Sequence, residues 1–284
     1  MNAPVTVALI LDELTVRYPA TRKNALERIA LEVRSGELLA IAGPNGCGKT
    51  TLLRAASGVL APLSGSAKSP VQTRPMHKLA PEKRARLLAV VPQMAGLPTG
   101  FTVAEAVMLG RISFHGWFGP ETAADRESVR SALAAVGLES VSGQSIETLS
   151  GGTVQRVLIA RALAQGASIL LMDEPTAHLD IRYQIETLTL LRRFARERGH
   201  AVVAAMHDLN LVARFADRVA LLSGGRLVRC GSPKTVLTAR ILSPLFQHPM
   251  QVIPHPLHGY PLVLPDGEER VKRARQLPRS SKKR

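Results

Sequence analysis

The stretch "GPNGCGKT", at positions 43–50, constrains the fold of this chain more than any other feature. It fits the spacing G-x-x-x-x-G-K-[ST], and it stands between the apolar run "LLAIA" and the helical pattern "KTTLLRAASGVL". Its glycines, Gly43, Gly46 and Gly48, let backbone N–H groups surround phosphate without interference from a Cβ atom. The stretch therefore predicts a phosphate-binding turn between a strand and a helix. A glycine turn that binds nothing is the weaker interpretation.

The charged side chains that a phosphate site requires are also present. Lys49 is expected to reach the β- and γ-phosphates, and the Thr50 hydroxyl to ligate Mg²⁺. A second apolar run, "ILLMDEP", predicts a buried strand that ends in Asp173 and brings this carboxylate near the cation. Glu174 follows, where it can polarise the water that attacks the γ-phosphate. Two solvated acids at a strand end are the alternative, which the phosphate loop in the same chain disfavours.

A second stretch, "LSGGTVQR" at positions 149–156, predicts another helix start that suits an anion. Ser150, Gly151 and Gly152 are small residues at the expected N-terminus of a helix. Such an N-terminus presents free backbone N–H groups and the positive end of the helix dipole. The sequence therefore contains two phosphate-facing helix starts about a hundred residues apart.

The pattern of apolar residues predicts strand–loop–helix units on a parallel sheet, with a largely helical block at about 95–165. Residues 5–42 have strand patterns, and "HAVVAAM" is a further buried strand. "DRVALLSGGRLVRCG" predicts a hairpin that turns at residues 224–225. The segment 181–198 predicts a helix with one apolar face, formed by Ile181, Ile185, Leu188 and Leu191.

Composition indicates a soluble intracellular protein. No apolar run approaches the roughly 18 residues of a membrane helix, and the two cysteines, Cys47 and Cys230, have no metal or disulfide spacing. The net charge is +15, but residues 270–284 hold eight Lys and Arg and no acid, so the rest of the chain carries +7. This tail is expected to be a disordered, solvated end. A contact with anionic lipid or nucleic acid is the alternative.

With these motifs in this order, the chain resembles the ATP-binding cassette (ABC) ATPases over nearly all of residues 5–265. Three further positions complete the resemblance: Tyr18 as the aromatic residue that stacks on adenine, Gln93 in "VVPQM" as the Q-loop glutamine, and His207 in "MHD" as the switch histidine. In this family "LSGGTVQR" is the signature, and "AHLD", which ends in Asp180, is the D-loop. Thr153 and Val154 depart mildly from the commoner signature, but its anion-contacting residues are intact.

The resemblance implies an α/β fold. Its P-loop core has a mostly parallel sheet, with an N-terminal antiparallel β subdomain and an inserted helical subdomain. The expected boundaries are a single domain at 1–265, with its core at 1–94 and 166–265, its helical subdomain at about 95–165, and a basic tail at 266–284.

The resemblance also implies ATP and Mg²⁺ as cofactors, and the site residues follow motif by motif. The catalytic residues are expected to be Glu174, His207, Gln93 and Lys49. The metal ligands are expected to be Thr50, Gln93 and Asp173. The nucleotide-binding residues are expected to be Tyr18, Gly43, Pro44, Asn45, Gly46, Cys47, Gly48, Lys49, Thr50, Thr51, Ser150, Gly151, Gly152 and Asp180.

In the family, the signature of one subunit covers the ATP that the phosphate loop of the other subunit holds. Physical reasoning supports the same arrangement, because a helix start cannot easily reach a nucleotide enclosed by its own chain's loop, whereas a two-fold partner's can. The chain is therefore expected to pair head to tail with a second copy. The resemblance further implies membrane-embedded permease subunits, indirectly a periplasmic or surface substrate-binding protein, and a peripheral position on the cytoplasmic face of the inner membrane.

Several stretches resemble the branch that imports chelated iron, haem and cobalamin, among them "TVAEAVMLGR" and the more branch-specific "HPLHGYPLVLP". An importer for another substrate stays open, as does a soluble ABC ATPase acting on nucleic acid or ribosomes. The latter usually carries two cassettes or large insertions, which are not seen here, so nucleic acid is an unlikely partner. A small-molecule kinase is the third alternative, and the signature and Glu174 disfavour it.

Three histidines and three aromatic residues lie outside the motifs. His248, His255 and His258 have no recognisable ligand spacing, so a proline-rich loop is expected there rather than a metal cluster. Phe114, Trp117 and Phe118 in "SFHGWFGP" fit an apolar core and a partner-binding patch equally well.

Overall fold

The computed structural model describes residues 6–93, 97, 99–115 and 119–266 of the chain. The strands are β1 Val7–Val16, β2 Leu26–Arg34, β3 Leu38–Ala42, β4 Ser64–Lys68, β5 Leu88–Val91, β6 Ile169–Asp173, β7 Ala201–Ala205, β8 Arg218–Ser223, β9 Arg226–Gly231, β10 Met250–Pro254 and β11 Pro261–Pro265. The α-helices are α1 Lys49–Ala56, α2 Pro81–Leu87, α3 Val103–Met108, α4 Ile112–His115, α5 Ala123–Val136, α6 Gly151–Ala164, α7 Ile181–Arg198, α8 Leu209–Phe215, α9 Pro233–Val236 and α10 Ala239–Phe246. None of these helices is long and apolar enough to cross a membrane.

The central sheet has the strand order β5-β6-β7-β3-β8-β9 in the described part of the chain. Its neighbouring strands run parallel except for β9, which pairs antiparallel with β8 through the predicted turn at residues 224–225. Every residue of β3, β6 and β7 is buried, as expected for parallel strands covered on both faces. The expected α/β fold with a mostly parallel sheet is confirmed.

A separate antiparallel sheet, of order β2-β1-β4, lies near the N-terminus. In β2, apolar and polar residues alternate, and Leu26, Ile29, Leu31 and Val33 are buried. These side chains share one apolar cluster with residues of α1 and of the central sheet. The antiparallel sheet therefore covers the side of the core on which the first phosphate loop begins.

A helical block of α3 to α6 lies between β5 and β6 in the chain. Thr102 and Glu105 close a capping box at the start of α3, and Thr122 and Asp125 close another at the start of α5. Arg111 joins the parts of the block, because its guanidinium contacts the buried Asp125 carboxylate at 2.9 Å and donates to the Ala164 carbonyl at the end of α6. The boundaries between domain, helical subdomain and tail stay a prediction.

The helix expected at 181–198 is present as α7, and its apolar face packs against the core except at its first residue. Leu188 and Leu191 are fully buried and Ile185 packs against the core, but Ile181 is 75% exposed. The chain leaves the sheet at Asp173, the last residue of β6, and α7 begins only at Ile181. Its first turn consequently lies beyond the strands that cover Leu188 and Leu191.

The expected proline-rich loop near the C-terminus is instead a hairpin of β10 and β11. His255 and His258 lie in its turn, where His255 Nδ1 accepts hydrogen bonds from the backbone N–H groups of Leu257 and His258. The rings of both histidines pack against Tyr260. Backbone pairing across the hairpin, rather than the proline content, decides the conformation here.

Of the three aromatic residues with two open interpretations, only Phe114 lies within the described residues. The Arg111 guanidinium sits over its ring, with Cζ 3.8 Å from the ring centroid, and Arg86 of α2 approaches the ring to 5.3 Å. Phe114 thus contributes to the contact between α2 and α4. Trp117, Phe118 and the tail at 267–284 lie outside the described residues.

Candidate functional site

The phosphate loop connects the end of β3 to the start of α1. Close packing requires glycine at two of its positions. A Cβ at Gly43 would lie 2.1 Å from the Leu222 carbonyl oxygen of β8, and one at Gly48 would lie 2.7 Å from the Leu26 side chain. Both residues have positive φ angles, 149° and 107°. Larger residues would therefore push the loop off the sheet.

Lys49, the first residue of α1, is buried under this loop. Its Nζ donates to the carbonyl oxygens of Gly43 at 2.9 Å and Pro44 at 3.3 Å. These bonds hold the ammonium group directly beneath the turn, where it can approach an anion enclosed by the loop.

A cavity of about 560 Å³ opens over the loop. Residues of the phosphate loop, the N-terminal sheet and the strand ends form its walls. They are Tyr18, Ala25, Asn45, Gly46, Gly48, Lys49, Thr50, Thr51, Gln93, Glu174 and His207. The Tyr18 hydroxyl is 3.1 Å from the Thr51 hydroxyl, which places its ring at the wall of the cavity.

The polar residues reach this cavity because they follow neighbouring parallel strands. Gln93 comes after β5, Glu174 after β6 and His207 after β7, while the phosphate loop follows β3. Since the carboxyl ends of parallel strands meet at one edge of the sheet, four segments distant in sequence converge there.

Asp173 and Thr50 meet at the base of the cavity. The Thr50 hydroxyl donates to Asp173 Oδ1 at 3.2 Å. Burial raises the pKa of the Asp173 carboxyl above its ordinary value, against the hydrogen bond from Thr50, which lowers the pKa. A hydroxyl and a desolvated carboxylate are oxygen ligands of the kind that Mg²⁺ takes in proteins, so this donor set fits the cation.

Glu174 is held at the cavity by two of the other predicted residues. Gln93 Nε2 donates to its Oε2 at 2.6 Å, and His207 Nε2 bonds to its Oε1. The Glu174 backbone has a φ of 52°, a conformation that non-glycine residues rarely adopt, and its N–H is bonded to the Ala205 carbonyl of β7. The strained backbone thus aims this carboxylate at the space above the phosphate loop.

Cys47, which was predicted among the nucleotide-binding residues, has its side chain elsewhere. The thiol is buried in the apolar cluster beneath the loop, and this burial raises its pKa. Its carbonyl accepts from the N–H of Gly225 at 3.1 Å, which fastens the loop to the β8–β9 turn. Cys47 can face the cavity only through its backbone.

The signature does not line this cavity. Ser150 caps α6 by accepting from the Thr153 N–H at 3.3 Å, and α6 begins at Gly151, as predicted. Gly152 packs so closely on Tyr183 that a Cβ there would lie 2.6 Å from its ring, whereas a Cβ at Gly151 would meet nothing within 4 Å. At the start of α6, the space around Gly151 is therefore open, whereas Gly152 is covered by the Tyr183 ring of α7.

Asp180 is also outside the cavity. It is exposed and caps α7 by accepting from the Tyr183 N–H at 2.9 Å. Because Tyr183 also contacts Gly152, the predicted D-loop and the signature form one neighbouring pair of helix starts. The structure thus gathers most of the predicted residues into two sets, one in or beside the cavity and one around the starts of α6 and α7, while Gly43 and Pro44 line the neighbouring hollow and the Cys47 side chain is buried beneath the loop.

Sequence reasoning missed two residues near the phosphate loop. Ala25 lines the main cavity, and Phe246 of α10 forms a second hollow with the loop and His207. Phe246 belongs to no phosphate motif, and no spacing in the sequence connects it with a loop two hundred residues earlier. Only the fold of the C-terminal helices brings it there.

Comparison with known proteins agrees with this geometry. The profile of the family described as ABC transporter matches residues 26–177. The hemin import ATP-binding protein HmuV of Nocardia farcinica is 41% identical over 86% of this chain and 83% of its own length. The ferric enterobactin transport ATP-binding protein FepC of Escherichia coli is 37% identical over 90% of this chain and 93% of its own. The cobalamin import ATP-binding protein BtuD of Halobacterium salinarum is 40% identical over 89% of this chain, but only 62% of its own length is matched.

Solved structures give the same result. An inward-facing ABC transporter assigned to the metal-chelate type aligns with a TM-score of 0.81 and 28% identity, covering 93% of this chain and 99% of that one. The dimeric ABC transporter cassette MJ0796 aligns with a TM-score of 0.68 and 29% identity, covering 79% of this chain and 98% of that one.

The contact between the two helix starts can be tested with a matched pair of substitutions. Gly152→Ala forces a Cβ into the Tyr183 ring, and we expect it to lower the free energy of unfolding by about 1–3 kcal/mol. Gly151→Ala places the same group in open space within the helix, so we expect no loss, or a gain of up to about 1 kcal/mol. Urea denaturation of both variants measures the difference. Equal stabilities would contradict the packing described.

The raised pKa of Asp173 predicts a pH-dependent effect on stability. At neutral pH the ionised carboxylate is unfavourable in the folded, nucleotide-free protein, so Asp173→Asn should raise the free energy of unfolding. The penalty begins to fall as the pH drops through the raised folded-state pKa, and it is gone below the unfolded-state pKa, where the carboxyl is protonated in both states. The difference between variant and wild type, measured by urea denaturation at several pH values, should shrink on acidification. A difference that grows towards low pH would overturn the assignment.

Proposed function

The chain belongs to the ABC transporter family, and from that premise we propose that it is the ATP-binding and ATP-hydrolysing subunit of an importer for an iron chelate, haem or cobalamin. One observation carries the hydrolytic part of this proposal: the Glu174 carboxylate is held between Gln93 and His207 at the edge of a cavity that the phosphate loop lines. The relatives support the proposed class of transported substrate, because they are named as proteins for hemin import, cobalamin import and ferric enterobactin transport.

The nucleotide is proposed to occupy the cavity with its phosphates on the loop. Backbone N–H groups at Gly46 and Gly48 and the Lys49 ammonium would neutralise the phosphate charge. Tyr18 lines the same cavity and would stack on adenine. The position of Lys49 beneath the turn supports this arrangement, because its Nζ already lies among the loop carbonyls.

Thr50, Asp173 and Gln93 would hold Mg²⁺, which supplies positive charge next to the transferred phosphoryl group. Hydrolysis then requires a base that takes a proton from the attacking water. Glu174 is proposed for that role, since it is the carboxylate at the cavity that neighbouring side chains orient. His207 bonds to the same carboxylate and would contact the γ-phosphate.

The signature completes the site from a second copy of the chain. Ser150, Gly151 and Gly152 lie outside their own chain's cavity, so their free N–H groups can serve only a nucleotide held elsewhere. In a two-fold dimer each signature would cover the ATP of the other subunit, with Asp180 beside it. The dimeric form of the related cassette MJ0796 supports this assembly.

Permease subunits are proposed to bind the helical block, and the chain is proposed to lie on the cytoplasmic face of the membrane. A groove of about 610 Å³ crosses α3 and α5. Phe101, Met108 and Leu133 give it an apolar floor, and Glu105 and Arg130 stand among the residues that line it. An apolar groove with charged residues around it suits a short helix of a partner protein. We propose a single cassette domain whose helical subdomain carries this contact, and a substrate-binding protein as the indirect partner.

Glu174→Gln tests the catalytic assignment. The variant should still bind ATP and form a dimer with it, but its rate of hydrolysis should fall by about 10²–10⁴-fold because the amide cannot accept the proton. Phosphate release and nucleotide binding are measured on the same sample. Glu32→Gln, on the exposed face of β2, is the matched control and should keep the wild-type rate. Normal turnover in Glu174→Gln would remove Glu174 from its proposed role.

The transport assignment is tested by affinity capture from detergent-solubilised native membranes with the Glu174→Gln variant and Mg-ATP. We expect a membrane protein with several spans to be recovered, and uptake of haem, a ferric siderophore or cobalamin can then be measured with the reconstituted complex. Recovery of ribosomal or nucleic-acid partners alone would leave the ATPase assignment intact and contradict the importer assignment.

A further inference from the structure

The first residue of α7 presents an apolar side chain to solvent beside the signature. Ile181 is 75% exposed, although the later apolar residues of the same helix are buried. An isolated exposed isoleucine is ordinary on a protein surface. This one follows Asp180 directly, at the helix start that contacts the signature.

The contact between the two helix starts fixes where Ile181 lies relative to the signature. The ring of Tyr183 packs on Gly152, and its N–H is bonded to the Asp180 carboxylate at 2.9 Å. The Arg156 guanidinium, from α6, lies 5.6 Å from the centroid of the same ring. The first turn of α7 is therefore fastened to the signature, and a surface that meets one of them meets the other.

A second hollow adjoins the nucleotide cavity at the phosphate loop, and Pro44 and Phe246 give it two apolar walls. Its volume is about 390 Å³, and it is lined by Gly43, Pro44, Asn45, His207 and Phe246. Phe246 is the last residue of α10 and is partly buried against the core. Gln247 caps the helix with a φ of 53°, and the His248 N–H is bonded to the Ser243 carbonyl, so the chain holds Phe246 in place on both sides.

We infer that Ile181 of a second copy of this chain inserts into the hollow between Pro44 and Phe246 when the ATP-bound dimer closes. This rests on the proposed head-to-tail dimer, in which each signature meets the other copy's phosphate loop. Ile181 is fastened beside the signature and the hollow adjoins the phosphate loop, so the proposed dimer, which brings these two segments together, brings Ile181 to the hollow. Two-fold symmetry repeats the contact, so each dimer has two such seats.

The insertion gives the closed dimer an apolar contact that does not involve nucleotide. The Ile181 side chain leaves water, and Phe246 and Pro44 lose their exposure in the hollow. Asn45 and His207 line both the hollow and the nucleotide cavity, so the seat and the active site share these two residues.

Disulfide cross-linking tests the contact directly. Two differently tagged full-length chains, both carrying Glu174→Gln, receive Ile181→Cys and Phe246→Cys respectively, and they are mixed and oxidised with copper phenanthroline. We expect the doubly tagged, disulfide-linked dimer to form at least about tenfold more with Mg-ATP than without nucleotide. Val71→Cys replaces Ile181→Cys in the control, because Val71 is also 75% exposed and lies away from both helix starts in sequence. It should give only background linkage.

Ile181→Asp provides a second measurement that does not depend on cysteine chemistry. An acidic residue in the first turn of a helix favours the folded helix, so a loss of dimer cannot be attributed to unfolding. In the Glu174→Gln background it should weaken ATP-dependent dimerisation by at least about tenfold in sedimentation velocity, since a charge would enter an apolar seat. Val71→Asp should leave dimerisation unchanged.

The outcomes separate this inference from the proposed function. If the Glu174→Gln chain dimerises with Mg-ATP but the Ile181–Phe246 pair gives only background linkage, the seat is wrong and the dimer stands. An Ile181→Asp variant that dimerises like the control also overturns the seat. If Glu174→Gln forms no ATP-dependent dimer, the proposed assembly and the seat both fail.

Discussion

The close approach of β8 to the phosphate loop is the constraint on which the rest of the structure depends. The Leu222 carbonyl occupies the space that any Cβ at Gly43 would need, so the loop can turn there only with glycine. The loop is fastened to the same hairpin again where the Cys47 carbonyl accepts from Gly225. Held in this way, the turn fixes the edge of the sheet at which α1 begins, and the ends of β5, β6 and β7 deliver their polar residues to that edge. The site is thus a consequence of parallel strand order around one tightly packed turn.

Several features of the site lower stability and favour chemistry. Glu174 adopts a backbone conformation that is unfavourable for a residue with a side chain, and Asp173 keeps a carboxyl group in a position where burial disfavours its charge. Neither feature helps the chain to fold. Both become useful when an anion and a cation enter the cavity, because the carboxylates are then oriented and only partly hydrated. The apolar clusters on both sides of the sheet supply the stability that such a site requires.

The sequence predicted those parts of the protein that depend on local pattern. The phosphate loop, the strand ending at Asp173, the helix beginning at Gly151 and the hairpin at residues 224–225 all follow from short motifs and periodicity, and the structure contains each of them. Prediction from the sequence failed where contacts between distant segments determine the burial or the conformation of a residue. Ile181 has the spacing of a buried residue but lies beyond the sheet, the β10–β11 hairpin depends on pairing that no motif encodes, and Phe246 reaches the phosphate loop only through the path of α10. The roles of the individual site residues stay predictions.

The buried ion pair of Arg111 and Asp125 has a mechanical consequence. One guanidinium ties the start of α5 to the end of α6, and its ring contact with Phe114 adds α4 to the same junction. Because a buried charge pair resists separation, the helices cannot slide past one another independently. These contacts join α4, α5 and α6, with the signature at the start of α6 and the groove across α3 and α5. If a partner protein binds the groove as proposed, we expect a displacement of the signature to reach it through movement of these helices as one unit.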